Sequence, residues 1–249
     1  MGTQFYVDSK RHSMDKEYKT YEVSSFREFQ DIILDIPRDQ FILYRGQAQD
    51  KALLPKIARY ELPDVEETEK EMLEDFQRRS LHLIDYHPAN SWDWLALAQH
   101  HGMATRLLDW TENPLIALYF SMSASSEDAK LDYSVVWGFN VPKDDIIIST
   151  EDKDPYKGRT TKVFKPNHIT KRISAQFGWF TIHKSNSDRK FVPFEKNQEY
   201  SRRLFKIKVD SKCFKECRSR LHTFGINSAS MYPDIDGLAK HVDWLFLGK

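Results

Sequence analysis

Residues 92–123, WDWLALAQHHGMATRLLDWTENPLIALYFSMS, decide how the rest of the chain is read. Two apolar runs flank a cluster of ionisable side chains. Trp92, Leu95 and Ala96 recur at helical spacing, with Ser91 in the N-cap position and Gly102 where a helix would end in a left-handed residue. Leu115 to Phe120 reads as a second helix. Asn113 suits its N-cap and Pro114 its first position, where a missing N–H costs nothing. Between the two lie Arg106, Asp109 and Thr111, beside Leu107, Leu108 and Trp110. A guanidinium and a carboxylate amid so much apolar surface need partners, because an unpaired buried charge is very costly. Function is expected to sit in this stretch.

Outward from it, Phe26 to Ile36 reads as a short amphipathic helix, and Phe41 to Tyr44 as a strand broken by Gly46. Glu66 to Tyr86 reads as a long helix with Met72, Phe76, Leu83 and Ile84 on one side. Val135–Val141, Trp179–His183 and Leu204–Val209 read as strands, the last alternating Phe205, Ile207 and Val209 with Lys206 and Lys208. Ser211 to Phe224 is helical in spacing and closed by Gly225, and Pro233 to Leu247 is a last helix. Helices cluster early and strands late. That predicts an α+β fold, a helical N-terminal half packed on a mixed or antiparallel sheet, rather than regular βαβ winding. No repeat or linker interrupts the chain, so residues 1–25 read as an N-terminal extension and 26–249 as a single domain.

Composition excludes several classes. Thirty-seven basic residues balance thirty-seven acidic ones, so net charge points to neither a nucleic acid nor a membrane. Cys213 and Cys217, four apart in a predicted helix, form neither a disulfide framework nor a zinc pattern, which fits a reducing compartment. The N-terminus lacks an apolar signal core and no apolar run approaches a membrane span, so the expectation is a cytoplasmic protein. The nine glycines never approach a dinucleotide or Walker spacing, and neither a nucleophile elbow nor HExxH is present.

Individual residues carry alternatives. Tyr44-Arg45-Gly46-Gln47 ends a strand; Arg45 either grips an anion with its planar fork or closes a salt bridge there. Gly46 would let a ligand or backbone approach closely. His100 and His101 are a general base, or structural; adjacent histidines on a helix point apart, so no metal is expected. Arg106 and Asp109 are binding groups or a buried ion pair holding the turn. Gln176 bonds a sugar hydroxyl or caps backbone. Pro155 to Ser187 carries Lys157, Arg159, Lys162, Lys165, Lys171, Arg172 and Lys184 without an acid, a cradle for phosphates or nucleic acid or else a solvated loop.

The segments FILYRGQ, LLPKIAR, LALAQHHGMATRLLDWTENPLIALYFS, RISAQFGWFTIHK and MYPDIDGLAKHV, from about Phe26 to Val242, resemble the FRG domain of bacteria and phages, named for its Phe/Tyr-Arg-Gly motif. A looser resemblance is to ADP-ribosyltransferases of the arginine-first type. Tyr44-Arg45, then Asp109-Trp110-Thr111 running into Ala117 to Phe120, then Gln176-Phe177-Gly178-Trp179-Phe180 follow the order of that family's motifs. This likeness implies an ADP-ribosyltransferase-like fold, NAD as the substrate, and a toxin or defence effector as the role. It implies Arg45, Asp109 and Gln176 as catalytic, and Tyr44, Gly46, Gln47, His100, Arg106 and Thr111 as nucleotide-binding. Gln176 stands where that family has a glutamate, so Asp109 or Asp236 would supply the charge facing an oxocarbenium-like state.

Overall fold

Short apolar or alternating segments pair into one sheet, and the helices between them cover its faces. The computed structural model describes residues 18–37, 39–85, 87–122, 132–148, 154–158, 160–167 and 171–248, the side chains of 171 and 173 excepted. The strands are Lys19–Val23 (β1), Ile42–Gln47 (β2), Leu107–Thr111 (β3), Tyr133–Asn140 (β4), Ile146–Ile147 (β5), Lys162–Phe164 (β6), Gly178–Ile182 (β7) and Leu204–Asp210 (β8). Their order in the sheet is β1-β8-β4-β2-β3-β7-β6-β5. The β1–β8 and β5–β6 pairs are parallel and the others antiparallel, so the sheet is mixed and the fold α+β. Residues 19–23, read from sequence as part of an extension, form the edge strand beside β8.

The helices are Phe26–Leu34 (α1), Val65–Ser80 (α2), Ser91–His100 (α3), Pro114–Ser121 (α4), Lys171–Ala175 (α5), Phe214–Thr223 (α6), Ser228–Met231 (α7) and Ile235–Leu247 (α8). Side-chain caps mark their starts. Asn113 accepts from the Leu115 N–H with Pro114 following, as the sequence predicts. At α3 the cap is Asn90 rather than Ser91; its side chain accepts from the N–H groups of Trp92 and Asp93. Asn and Ser cap about equally well, so spacing alone does not choose between neighbours. α2 stops at Ser80, short of the predicted end, and Tyr86 lies outside the described residues. Leu81 and Leu83 beyond it are exposed, with no apolar surface to hold further turns.

Two sequence readings are corrected. Gly46 does not break β2, which continues to Gln47 and pairs with β4 throughout. Leu107–Thr111 is a strand and not a turn between helices. Its alternation divides two cores: Leu108 and Trp110 join Leu43, Trp137, Phe139 and Phe194, whereas Leu107 packs with Trp92 and Leu95 of α3. A third cluster seats α1, α4 and α6 on Tyr44, Val136 and Ile207.

Candidate functional site

Strand pairing is nearly continuous except at one place. β2 pairs with β4 from Ile42 to Gln47, and β3 with β7 along its whole length, but β2 and β3 share only the Tyr44–Thr111 pair. A cleft of about 420 Å³ opens there, within the range of small-molecule sites. The Arg45 guanidinium lies in the opening: Nη1 donates to the main-chain carbonyl of Asp109 at 2.6 Å and reaches Asp109 Oδ2 at 3.4 Å. A side chain thus serves that carbonyl where the neighbouring strand does not.

Asp109 is held from two further directions. Gln99 Nε2, from the last turn of α3, donates to Oδ2 at 2.9 Å. The Gln99 amide is oriented in turn by Thr105, whose hydroxyl donates to Oε1 at 2.6 Å and accepts from the Leu107 N–H at 3.2 Å. This backbone-to-carboxylate chain aims a half-exposed, ion-paired Asp109 into the cleft. Among the described residues lining the cleft it is the one carboxylate. Asp236, the alternative source of charge, sits exposed in the first turn of α8 and does not line it.

Seven of the nine residues singled out from sequence line this cleft: Arg45, Asp109, Gln176, Tyr44, Gly46, His100 and Thr111. Two do not. Gln47 accepts from the Trp137 indole N–H at 2.9 Å. Arg106 is fully buried, its Nε donating to Glu69 Oε2 and its main-chain N–H to Glu69 Oε1, each at 2.7 Å. The Arg106–Asp109 ion pair considered from sequence is therefore absent, since residues three apart along extended chain face opposite sides.

The roles of the lining residues are uneven. Gly46 admits backbone, not ligand: a Cβ there would lie 2.0 Å from the Ala117 carbonyl oxygen and 2.5 Å from the Ser121 nitrogen of α4. Thr111 spends its hydroxyl structurally, donating to the Gln176 carbonyl at 2.8 Å and accepting from the Asn113 N–H at 3.1 Å. Gln176 is likewise engaged, Nε2 donating to the Met231 carbonyl at 3.0 Å and so tying α5 to α7. His100 is held down to about 4 by burial and by the nearby Arg172 and His101, against the pull of Asp109. At neutral pH it is an uncharged imidazole.

Sequence reasoning gave no site role to the aromatic walls, Phe120, Trp179 and Tyr232, nor to Gln99 and Arg172. Arg172 stacks over the Tyr232 ring at 4.4 Å. Residues 40–130 match the family model of the FRG domain. The chain carries an FRG domain. The matched stretch runs from the start of β2 past α4 and holds Arg45, Gly46, Gln99, His100, Asp109 and Thr111. It is shorter than the span of sequence motifs from Phe26 to Val242, and Arg172, Gln176 and Tyr232 complete the FRG cleft from beyond it. No curated protein and no solved structure matches the chain. The glycine of the FRG motif has its physical reason in α4, which lies directly on the β2 backbone.

Among the described residues no group of three His, Cys, Asp or Glu side chains could hold a metal ion, and no helix is long and apolar enough to cross a membrane.

Proposed function

We propose that the cleft binds NAD or a related nucleotide and that the protein acts as an ADP-ribosyltransferase-like enzyme. The observation that carries this reading is the convergence, where β2 and β3 part, of two guanidiniums, one clamped carboxylate and several aromatic residues, Phe120 and Tyr232 among them. Flat rings take up heterocycles, guanidiniums take up phosphates, and a fixed carboxylate stabilises positive charge on a sugar. In the reaction the bond from ribose C1′ to the nicotinamide nitrogen breaks, its electron pair leaving with nicotinamide, while an acceptor nucleophile bonds to C1′ and loses its proton to solvent. In this reading Asp109, held by Gln99, faces the developing cation; Gln176 is left with a supporting part, its amide N–H being bonded to main chain. Consumption of NAD would suit a toxin or defence effector.

Incubating the purified protein with NAD, with and without cell extract, and following nicotinamide release tests this. Asp109→Asn is expected to lower release by roughly 10²–10³-fold. Failure of the unaltered protein to bind any nucleotide by calorimetry would refute the proposal.

The rival reading, a nucleic-acid or protein-binding module built on the basic segment, has less support. Lys162 pairs with Asp145 at 2.7 Å, Lys165 pairs with Glu112 at 3.0 Å, and Lys184 Nζ donates to the Pro155 carbonyl. Arg172 belongs to the cleft, and Arg159 lies outside the described residues. Binding of DNA or RNA that weakens steeply with salt would favour this rival.

A further inference from the structure

Resting on the reading of the cleft as a nucleotide site, we infer that Arg172, and not Arg45, is the principal grip on the ligand's phosphate. The cleft then selects nucleoside phosphates over bare nucleosides. The two guanidiniums lining it differ in what they are free to do. Arg45 gives Nη1 to the Asp109 carbonyl at 2.6 Å and faces the Asp109 carboxylate at 3.4 Å. An arriving phosphate would have to displace a bond that serves strand β3, and would meet the Asp109 charge beside it. Arg45 is therefore the group that holds Asp109 and closes the parted strands.

Arg172 is in the opposite condition. The Nε of each guanidinium is buried without a hydrogen bond, but among the described residues Arg172, unlike Arg45, has no carboxylate partner. The Arg172 guanidinium carbon lies over the Tyr232 ring, 4.4 Å from its centroid, and among the described residues no hydrogen bond engages its N–H fork. That ring is itself braced edge-on by Phe120 at 6.2 Å, and the Gln176–Met231 bond ties α5 to the residue before Tyr232. A partly desolvated cation with idle donors, fixed in place on a cleft wall, is completed by an anion.

Calorimetry with adenosine, AMP, ADP and NAD tests the assignment on the full chain and on Arg172→Met, Arg172→Lys and Arg45→Lys, each checked by melting temperature. The unaltered protein should bind ADP and NAD more tightly than adenosine. Arg172→Met should remove that preference, a loss of roughly 10–100-fold for the phosphorylated ligands with adenosine unchanged. Arg172→Lys should restore it in part, since an ammonium keeps the charge but not the fork. Arg45→Lys should leave the ratio of ADP to adenosine affinity as it is. A preference that survives Arg172→Met, or that vanishes in folded Arg45→Lys, overturns the inference while the nucleotide reading stands. Equal affinity of the unaltered protein for adenosine and ADP does the same. If it binds none of the four, the proposed function falls and this inference with it.

Discussion

Removing either member of the Arg106–Glu69 pair should be far more damaging than its two hydrogen bonds suggest. Both side chains are wholly inaccessible to solvent, and Glu69 accepts from Arg106 twice, at Nε and at the main-chain N–H. What else the guanidinium has is thin: Glu66 at 4.0 Å from Nη1, the Tyr156 ring at 4.7 Å, and no hydrogen-bond partner for Nη1 or Nη2. In Glu69→Leu the cation stays buried without its counter-ion, which costs ~3–5 kcal/mol. Arg106→Met strands the carboxylate at a similar cost. The double change removes both charges, so its loss should fall below the sum of the singles by at least ~2 kcal/mol. It should not vanish, because the Arg106 N–H remains buried without an acceptor, a penalty of ~1–3 kcal/mol. Urea melts of the four proteins read this directly. At a slope of ~1–3 kcal/mol per molar, the single variants should shift the midpoint by ~1 M or more. Additive losses under ~1 kcal/mol each would refute the reasoning, since they would mean that water reaches the pair.

Gly46→Ala should lower stability by ~3 kcal/mol or more, at the upper end of overpacking costs, because the added methyl meets α4 backbone that cannot rotate away; an unchanged melting temperature would sink this reading of the FRG glycine. Gln176→Glu should destabilise by ~1–3 kcal/mol without raising nicotinamide release, since a carboxylate would replace the donor to the Met231 carbonyl; a stable variant with faster release would return residue 176 to the reacting centre. Burial and the nearby Arg45 hold His183 down to about 3, below its ordinary 6.5. The unfolded chain therefore binds the proton first as pH falls, and stability should drop by up to ~1.4 kcal/mol per pH unit for this histidine between about pH 6.5 and about pH 3. His183→Asn should flatten that slope in urea melts, and equal slopes for both proteins would contradict it.

The start of α4, the end of α6 and the apolar strands were legible because they depend on local chemistry: Asn113 with Pro114, Gly225 with φ +77°, and the alternation of β8. β3 was not, because Leu107-Leu108-Asp109-Trp110-Thr111 serves a core on each face and so lacks the simple inside–outside alternation of a surface strand. Once those residues are known to be extended, Arg106 and Asp109 must face apart, and the search for partners changes. Arg106 finds Glu69 of α2, thirty-seven positions earlier, and Asp109 finds Gln99 and Arg45.

The cleft follows from the same misfit between neighbouring strands. Had β2 and β3 paired along their length, the Asp109 carbonyl would have had a strand partner and Arg45 would have had no opening to fill. The guanidinium that the FRG motif supplies is in this sense first a substitute for a missing ladder bond, and its place in the lining of the cleft comes second. On the proposed nucleotide reading, that ordering makes Arg45 alone a poor phosphate grip and gives the task to Arg172 from α5, a residue outside the matched stretch. On the same proposed reading it also separates two tasks that one arginine would otherwise combine: holding Asp109 in place, and meeting a phosphate away from the Asp109 carboxylate.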